Sequence, residues 1–300
     1  MKLRVSIFTN AGTVPLEIAQ RHGFFAEAGL AVEVSGTTSS VEQMTGVIDG
    51  RYAIAATAID NVIAYNAGQG AAPTERPARL RVFMGSATYR LPFVVAPDVQ
   101  SFADLRGSRI AVDALSTGFA FLLRDMLATG GLGPEDYELV PTGAPKERWD
   151  AVRRGAARGA LLNAHLEAIA HAQGFATLTS DPDPWDGYQG NVFCAQPGFL
   201  ESGPVAAFMR AVLRGVQVVL DPEQAGPVAE ALMAHLDDLE PERAAHVARM
   251  LSGASSILAA GLPVSLSGTQ RVMALRERYT GARLPFSERD LFDHRAKVRP

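Results

Sequence analysis

An α/β protein of two lobes with a helical C-terminal region is what this 300-residue chain predicts. Three observations lead there. Strand-like and helix-like patterns alternate from Leu3 to Ala67, in the order that builds a parallel sheet with helices on both faces. The alternation restarts after Pro92 and stops near Gly190. From Asn191 onward one strand is followed almost wholly by helices. A lobe inserted between the start and end of another accounts for this order. Residues 1–88 and 192–300 then form a discontinuous first lobe and 89–191 the second. A ligand cleft is expected between them, with the chain crossing at Ala87 to Phe93 and at Tyr188 to Phe193.

The elements follow in turn. Leu3 to Phe8 alternates as a strand, and Val14 to Ala28 reads as one helix with Pro15 in its first turn and Gly29 at its C-terminal cap. Leu30 to Ser35 is a strand. Ser39 or Ser40 opens the next helix, with Glu42 or Gln43 three residues on as a capping box. Ile54 to Ala58 is an apolar strand and Ile59 to Ala67 a helix. Gln69 to Arg79 is a loop, rich in Gly, Pro and charge. Strands follow at Leu80 to Ala87 and Phe93 to Ala96. In the second lobe, strands at Arg109 to Asp113, Tyr137 to Pro141, Ala160 to Asn163 and Ala176 to Thr179 alternate with helices. Those helices run from Thr117 to Thr129, from Glu147, and from Leu166 to Gln173. Asn191 to Ala195 is the last long strand. Helices are expected at Pro204 to Leu220, Glu223 to His235, Pro241 to Leu251 and Thr269 to Tyr279.

Composition narrows the function. Hydrophobic residues make up 47% and charged residues 20%, the balance of a globular protein. Lys and Arg total 28 against 32 Asp and Glu, a net charge of -4, with no basic stripe interleaved with aromatics. Nucleic acid is therefore not an expected partner. Cys194 is the only cysteine, which leaves no intrachain disulfide and no cysteine-based zinc site. No stretch reaches the roughly 18 apolar residues of a membrane span. Met1 to Thr9 reads straight into a strand without the apolar core of a signal peptide. The chain thus reads as cytoplasmic as encoded, or periplasmic if a leader has been removed. No phosphate loop, dinucleotide fingerprint, zinc-protease motif or nucleophile elbow is present, so neither cofactor nor metal is expected.

Several segments carry a family resemblance. Pro15 to Gly29 (PLEIAQRHGFFAEAG), followed by LAVEV, resembles the opening of the nitrate/sulfonate/taurine-type periplasmic substrate-binding proteins, which are related to the thiamine-pyrimidine synthases. Gly36 to Ser40 matches their Ser/Thr-rich helix start, and Gly50 to Ala55 a following glycine-led segment. Phe102 to Gly107 and Gly131 to Asp136 resemble two further motifs. The similarity runs through most of residues 5 to 220. It implies a type 2 periplasmic-binding (Venus-flytrap) fold, a monomer, a small-molecule ligand and an ABC permease as partner. The pyrimidine-synthase branch carries a cysteine-rich motif, which a chain whose one cysteine is Cys194 does not match.

Ligands of open α/β sheets bind beyond the carboxyl ends of strands, near helix N-termini. Asn10, Gly12 and Thr13 follow the first strand; Thr38, Ser39 and Ser40 open the next helix; Thr57 lies in the third strand; Ser116, Thr117 and Gly118 open the long helix of the second lobe. Each hydroxyl either caps its helix or helps hold a carboxylate, sulfonate or phosphate through N–H groups and the helix dipole. Arg90 either pairs with that anion or is a solvated hinge charge. Tyr89, Phe119, Trp185 and Tyr188 are candidate aromatic walls. Trp185, set among polar residues, is preferred, and Phe119 is assigned to the core. Asn163 and His165 follow the strand ending near Leu162. His165 is the one candidate for catalysis, and no general-base partner can be placed beside it.

Two functions stay open at this point. One is a solute-binding protein for a small organic anion, the binding component of an ABC-type importer. The alternative is a cytoplasmic lyase or decarboxylase of a small aromatic or carboxylic acid on the same fold. A ligand-sensing regulatory domain is a third reading, although no helix-turn-helix segment is attached.

Overall fold

The computed structural model describes residues 1–88, 90–236, 239–254 and 256–299. Two compact units emerge. The first comprises 1–88, 189–270 and 284–300, and the second 89–188 with 271–283.

In the first unit, β1 (Lys2–Ile7), β2 (Ala31–Gly36), β3 (Ile54–Ala58) and β4 (Arg81–Gly85) are joined by a late strand, β10 (Asn191–Ala195). Their order is β2-β1-β3-β10-β4. The first three strands run parallel, and β10 runs antiparallel to both β3 and β4 with a register shift at Phe193/Cys194. The strand that returns from the second unit thus enters the middle of the first sheet. Leu3, Val5 and Ile7 are buried at alternate positions of β1, as a period of two requires.

The expected helix from Val14 to Ala28 is two helices, α1 (Val14–Arg21) and α2 (Phe24–Glu27). Gly23 adopts φ 70° between them, a left-handed conformation that ends α1 and that glycine adopts without penalty. The helices α3 (Ser40–Ile48) and α4 (Ile59–Asn66) complete the crossovers.

The second unit repeats the plan. Its strands are β5 (Phe93–Val95), β6 (Ser108–Val112), β7 (Tyr137–Pro141), β8 (Gly159–Leu161) and β9 (Ala176–Leu178), in the order β7-β6-β8-β5-β9. Here β6 runs parallel to β7 and β8, while β5 is antiparallel to β8 and β9. Its helices are α5 (Gly118–Thr129), α6 (Pro145–Arg153) and α7 (Ala164–Ala172). Val94, Ala111, Trp149, Val152, Ala160 and Leu166 form part of its own core.

The C-terminal region holds α8 (Pro197–Ser202), α9 (Val205–Leu220), α10 (Ala225–His235), α11 (Pro241–Ser252) and α12 (Leu266–Thr280), with a short parallel pair β11 (Val264–Ser265) and β12 (Val298–Arg299). On α9, Val205, Phe208, Val212, Val216 and Val219 are buried, a stripe at helical spacing. Phe208 meets Phe25, Phe83 and Phe193 at ring separations of 5.6, 6.3 and 6.0 Å. Its truncation to Ala should cost about 3–5 kcal/mol, read by denaturant unfolding.

One departure concerns α12. The sequence placed all of 192–300 in the first lobe, yet residues 271–283 pack with the second unit. Tyr279 stacks on Phe121 at 6.0 Å, Arg278 pairs with Asp125 at 2.8 Å, and the buried Arg276 donates to the Ser116 carbonyl at 3.1 Å. Such partners lie more than a hundred residues apart, beyond the reach of local pattern.

Candidate functional site

The parallel register of β1, β2 and β3 sets Ile7 opposite both Gly36 and Ala56, so their carboxyl ends share one edge of the first sheet. Seven expected site residues gather along that edge. Asn10 caps a short 3-10 turn (Ala11–Thr13): its Oδ1 accepts the Gly12 N–H at 2.8 Å and its Nδ2 donates to the Phe8 carbonyl at 2.8 Å. Thr13 is buried; its hydroxyl donates to the Asn10 carbonyl and meets His235 Nε2, both at 2.8 Å. Gly12 allows a close approach, since a Cβ there would stand 2.2 Å from Ala87 Cβ. Thr57 is buried and accepts from Asn61 Nδ2 at 2.9 Å. The side chains of Asn10, Thr13 and Thr57 therefore have partners within their own unit and shape the edge.

The start of α3 is different. Ser39 Oγ accepts the Glu42 N–H at 3.2 Å, but Glu42 does not complete the reciprocal box. Its carboxylate instead accepts from the Thr37 hydroxyl at 3.0 Å and the Tyr52 hydroxyl at 3.2 Å, and Thr37 Oγ1 accepts the Ser39 N–H at 3.1 Å. The N–H groups of Thr38, Ser40 and Val41 and the hydroxyls of Thr38 and Ser40 have no partner among the described residues. These groups sit in the positive field of a helix N-terminus. Val41 beside them is 37% exposed, an apolar surface next to the donors. Buried Gln43 straps α3 to the sheet, its Nε2 donating to the Ser6 and Ala56 carbonyls at 3.2 Å.

In the second unit, β6, β7 and β8 likewise bring their carboxyl ends to one edge. Thr117 caps α5 by accepting the Ala120 N–H at 3.2 Å, and donates to Asp113 Oδ1 at 2.8 Å. Gly118 is buried and Ser116 exposed. Leu115 beside Ser116 is 45% exposed. Asn163 caps α7, its Oδ1 accepting the Leu166 N–H at 2.9 Å, and His165 is exposed in the first turn of that helix. Arg90 pairs with Asp183 at 2.5 Å, and Asp183 also accepts the Trp185 N–H at 3.0 Å.

Two aromatic expectations are reversed. Trp185 is 9% exposed, packed on Phe119 at 6.0 Å and Tyr188 at 5.3 Å, rather than standing in polar surroundings. Phe119, assigned to the core, is the half-exposed member of that cluster. Tyr89 lies outside the described residues.

Sequence reasoning missed Arg148 and Asp113. Arg148 is 5% exposed; its Nε donates to the Leu161 carbonyl at 3.1 Å and its Nη1 to the Gly143 carbonyl at 2.7 Å. It thereby ties the end of β8 to the loop after β7. Burial pushes the Asp113 carboxyl up, and the Arg148 guanidinium is the largest opposing influence. A signal was present: Arg148 lies near the N-terminal end of α6, where the helix dipole disfavours a cation. Cys194 is buried and its thiol is pushed up to about 12, so it stays protonated at neutral pH. Among the described residues, no group of three or more His, Cys, Asp or Glu side chains could hold a metal ion, and no helix is long and apolar enough to cross a membrane.

The His235–Thr13 contact carries a pH prediction. Burial lowers the His235 pKa, against an opposing pull from Glu17. The unfolded chain takes up the proton near pH 6.5 while the folded protein does not. This contribution is therefore complete above pH about 6.5 and declines as pH falls toward the depressed folded value. The melting temperature should drop between pH about 7.5 and 5.5, and His235→Gln should reduce that drop. Equal drops in the two proteins would contradict the assignment.

Comparison with known proteins places the chain in a family. The family model described as NMT1/THI5 like matches residues 10–225. The chain is 28% identical over 251 residues to the nitrate import ATP-binding protein NrtC of Synechococcus elongatus, covering 77% of this chain and 37% of that protein. It thus spans well under half the length of that relative. Among solved structures, the alkanesulfonate-binding protein SsuA from Xanthomonas axonopodis pv. citri, bound to MOPS, is similar with a TM-score of 0.71 at 17% identity, covering 99% of this chain and 98% of that one. The periplasmic nitrate-binding protein NrtA from Synechocystis PCC 6803 gives 0.72 at 14% identity over 96% and 83%. At these identities the likeness establishes the fold, the two-lobed type 2 periplasmic-binding fold. Since the family match takes in well over half of its residues, the chain belongs to the NMT1/THI5-like family.

Proposed function

We propose that the protein is a solute-binding protein that captures a small organic anion and serves as the binding component of an ABC-type importer. The observation that carries this reading is the start of α3, where three backbone N–H groups and two hydroxyls have no partner among the described residues. Neutral donors in a helix field hold an anion without needing a countercharge. The exposed side chain of Val41, beside the same donors, suits an organic rather than a bare inorganic ion. Relatives that bind nitrate and alkanesulfonate and a relative concerned with nitrate import point the same way. We assign Thr38, Ser39 and Ser40 to the anion's charged group.

The experiment is calorimetric titration with alkanesulfonates, nitrate and small carboxylates, on the natural protein and on Thr38→Ala/Ser39→Ala/Ser40→Ala. Hydrogen bonds to a charged group contribute about 1.5–3 kcal/mol each. The triple change should weaken the bound anion about tenfold or more, while loss of the Ser39 cap costs about 1 kcal/mol of stability. Unchanged affinity would reduce these residues to helix caps and remove the basis of the proposal.

A further inference from the structure

At the opposite ends of the strands, the amino ends of β1 and β3, the first unit has an open depression of about 1140 Å³. Lys2, Arg4, Arg51, Arg76 and Arg79 line it, against a single carboxylate, Glu33. In a chain whose net charge is -4, such a concentration of cations runs against the overall balance. Lys2 pairs with Glu33 at 3.1 Å, and Arg51 donates to the Glu42 carbonyl and Thr45 hydroxyl at 3.3 Å. The guanidinium groups of Arg4, Arg76 and Arg79 have no carboxylate partner among the described residues.

The backbone that carries two of these arginines is pinned. Asp49 Oδ1 accepts the N–H groups of Glu75 and Arg76 at 2.9 and 3.1 Å. Gln196 accepts the Arg79 N–H at 3.1 Å and donates to the Pro77 carbonyl at 3.1 Å and the Ile48 carbonyl at 3.3 Å. Gly50, at φ 90°, lets Arg76 lie close: a Cβ there would be 3.2 Å from Nη1. Tyr52 and Phe199 add an apolar lining.

We propose that this depression is a second ligand site, taking a polyanion with two or more phosphate groups. Three unpaired guanidiniums around one volume repel each other, and one singly charged group neutralises only one of them. A polyphosphate chain engages them together through bidentate bonds that suit Arg. The site lies away from the carboxyl edge that holds Thr38 to Ser40, so it stands or falls independently of the importer reading.

Calorimetry at about 150 mM salt, where exposed charges more than about 8 Å apart are largely screened, tests it with phosphate, pyrophosphate and tripolyphosphate as probes. Affinity should rise with chain length. Arg4→Gln/Arg76→Gln/Arg79→Gln should weaken tripolyphosphate at least about tenfold, the loss of roughly one charge-assisted hydrogen bond. Thr38→Ala/Ser39→Ala/Ser40→Ala should leave it unchanged. Cosedimentation with vesicles carrying a bisphosphorylated headgroup separates a lipid source from a free one, and binding in either arm supports the site. The three arginines are exposed, so the variant should keep its melting temperature. Equal affinity in the arginine variant, phosphate binding as tightly as tripolyphosphate, or displacement of tripolyphosphate by an acidic peptide would overturn it.

Discussion

Arg148→Met should destabilise the protein by about 1–3 kcal/mol for each buried carbonyl left without its donor, making it one of the largest single changes expected. Methionine fills a similar volume but donates nothing to the Leu161 and Gly143 carbonyls that Arg148 now satisfies. It also leaves Asp113 without its largest stabilising influence in a buried setting. Asp113 would then favour its protonated form more strongly, so the variant should lose most at neutral pH and less in acid. Adding Asp113→Asn should recover part of the loss, because the uncompensated charge is gone. Urea unfolding of both singles and the double gives the coupling directly. Additive losses in the cycle would show that Arg148 acts through its carbonyl bonds alone.

Gly215→Ala is the second large effect, and its sign runs against helix propensity. At an open helical position alanine gains about 1 kcal/mol over glycine. Here a Cβ would stand 2.3 Å from the Pro15 carbonyl oxygen and 3.4 Å from the Ala19 nitrogen, both backbone atoms of α1. Backbone cannot swing aside as a flexible side chain does, so α9 and α1 must move apart and unpack the stripe from Val205 to Val219. Overpacking of this kind costs about 1–3 kcal/mol, and Gly215→Val should exceed that range. Because α1 follows the turn that carries Asn10 to Thr13, ligand affinity should fall along with stability. An alanine variant as stable as the natural protein in urea would show that the two helices are not held at this distance.

What could be read in advance was local. Ser39 and Thr117 each accept a backbone N–H at a helix start, and side-chain chemistry together with the following apolar run suffices to place such caps. Asn163, read as the end of a strand, caps α7 instead. Strands such as β3 and β7 matched to the residue because their neighbours carry clear turn signals. The break at Gly23 escaped because its apolar neighbours continue the helical period across it. Long-range placement was not legible. The burial of Trp185 depends on Phe119, and the attachment of 271–283 depends on Phe121 and Asp125, contacts set by packing and not by spacing. Arg148 was passed over because a lone arginine in a polar helix looks solvated. Only its position near the start of α6 hinted otherwise.

The most direct test of a binding role without turnover is to follow the ligand itself. The anion selected by calorimetric screening would be incubated with the protein at a tenfold excess and then analysed by mass spectrometry, alongside His165→Ala. A binding protein returns one equivalent of chemically unaltered ligand, and the His165 change shifts affinity only modestly. Conversion of more than one equivalent, lost about 10²-fold or more in rate in the His165 variant as expected for a general acid or base, would contradict that role.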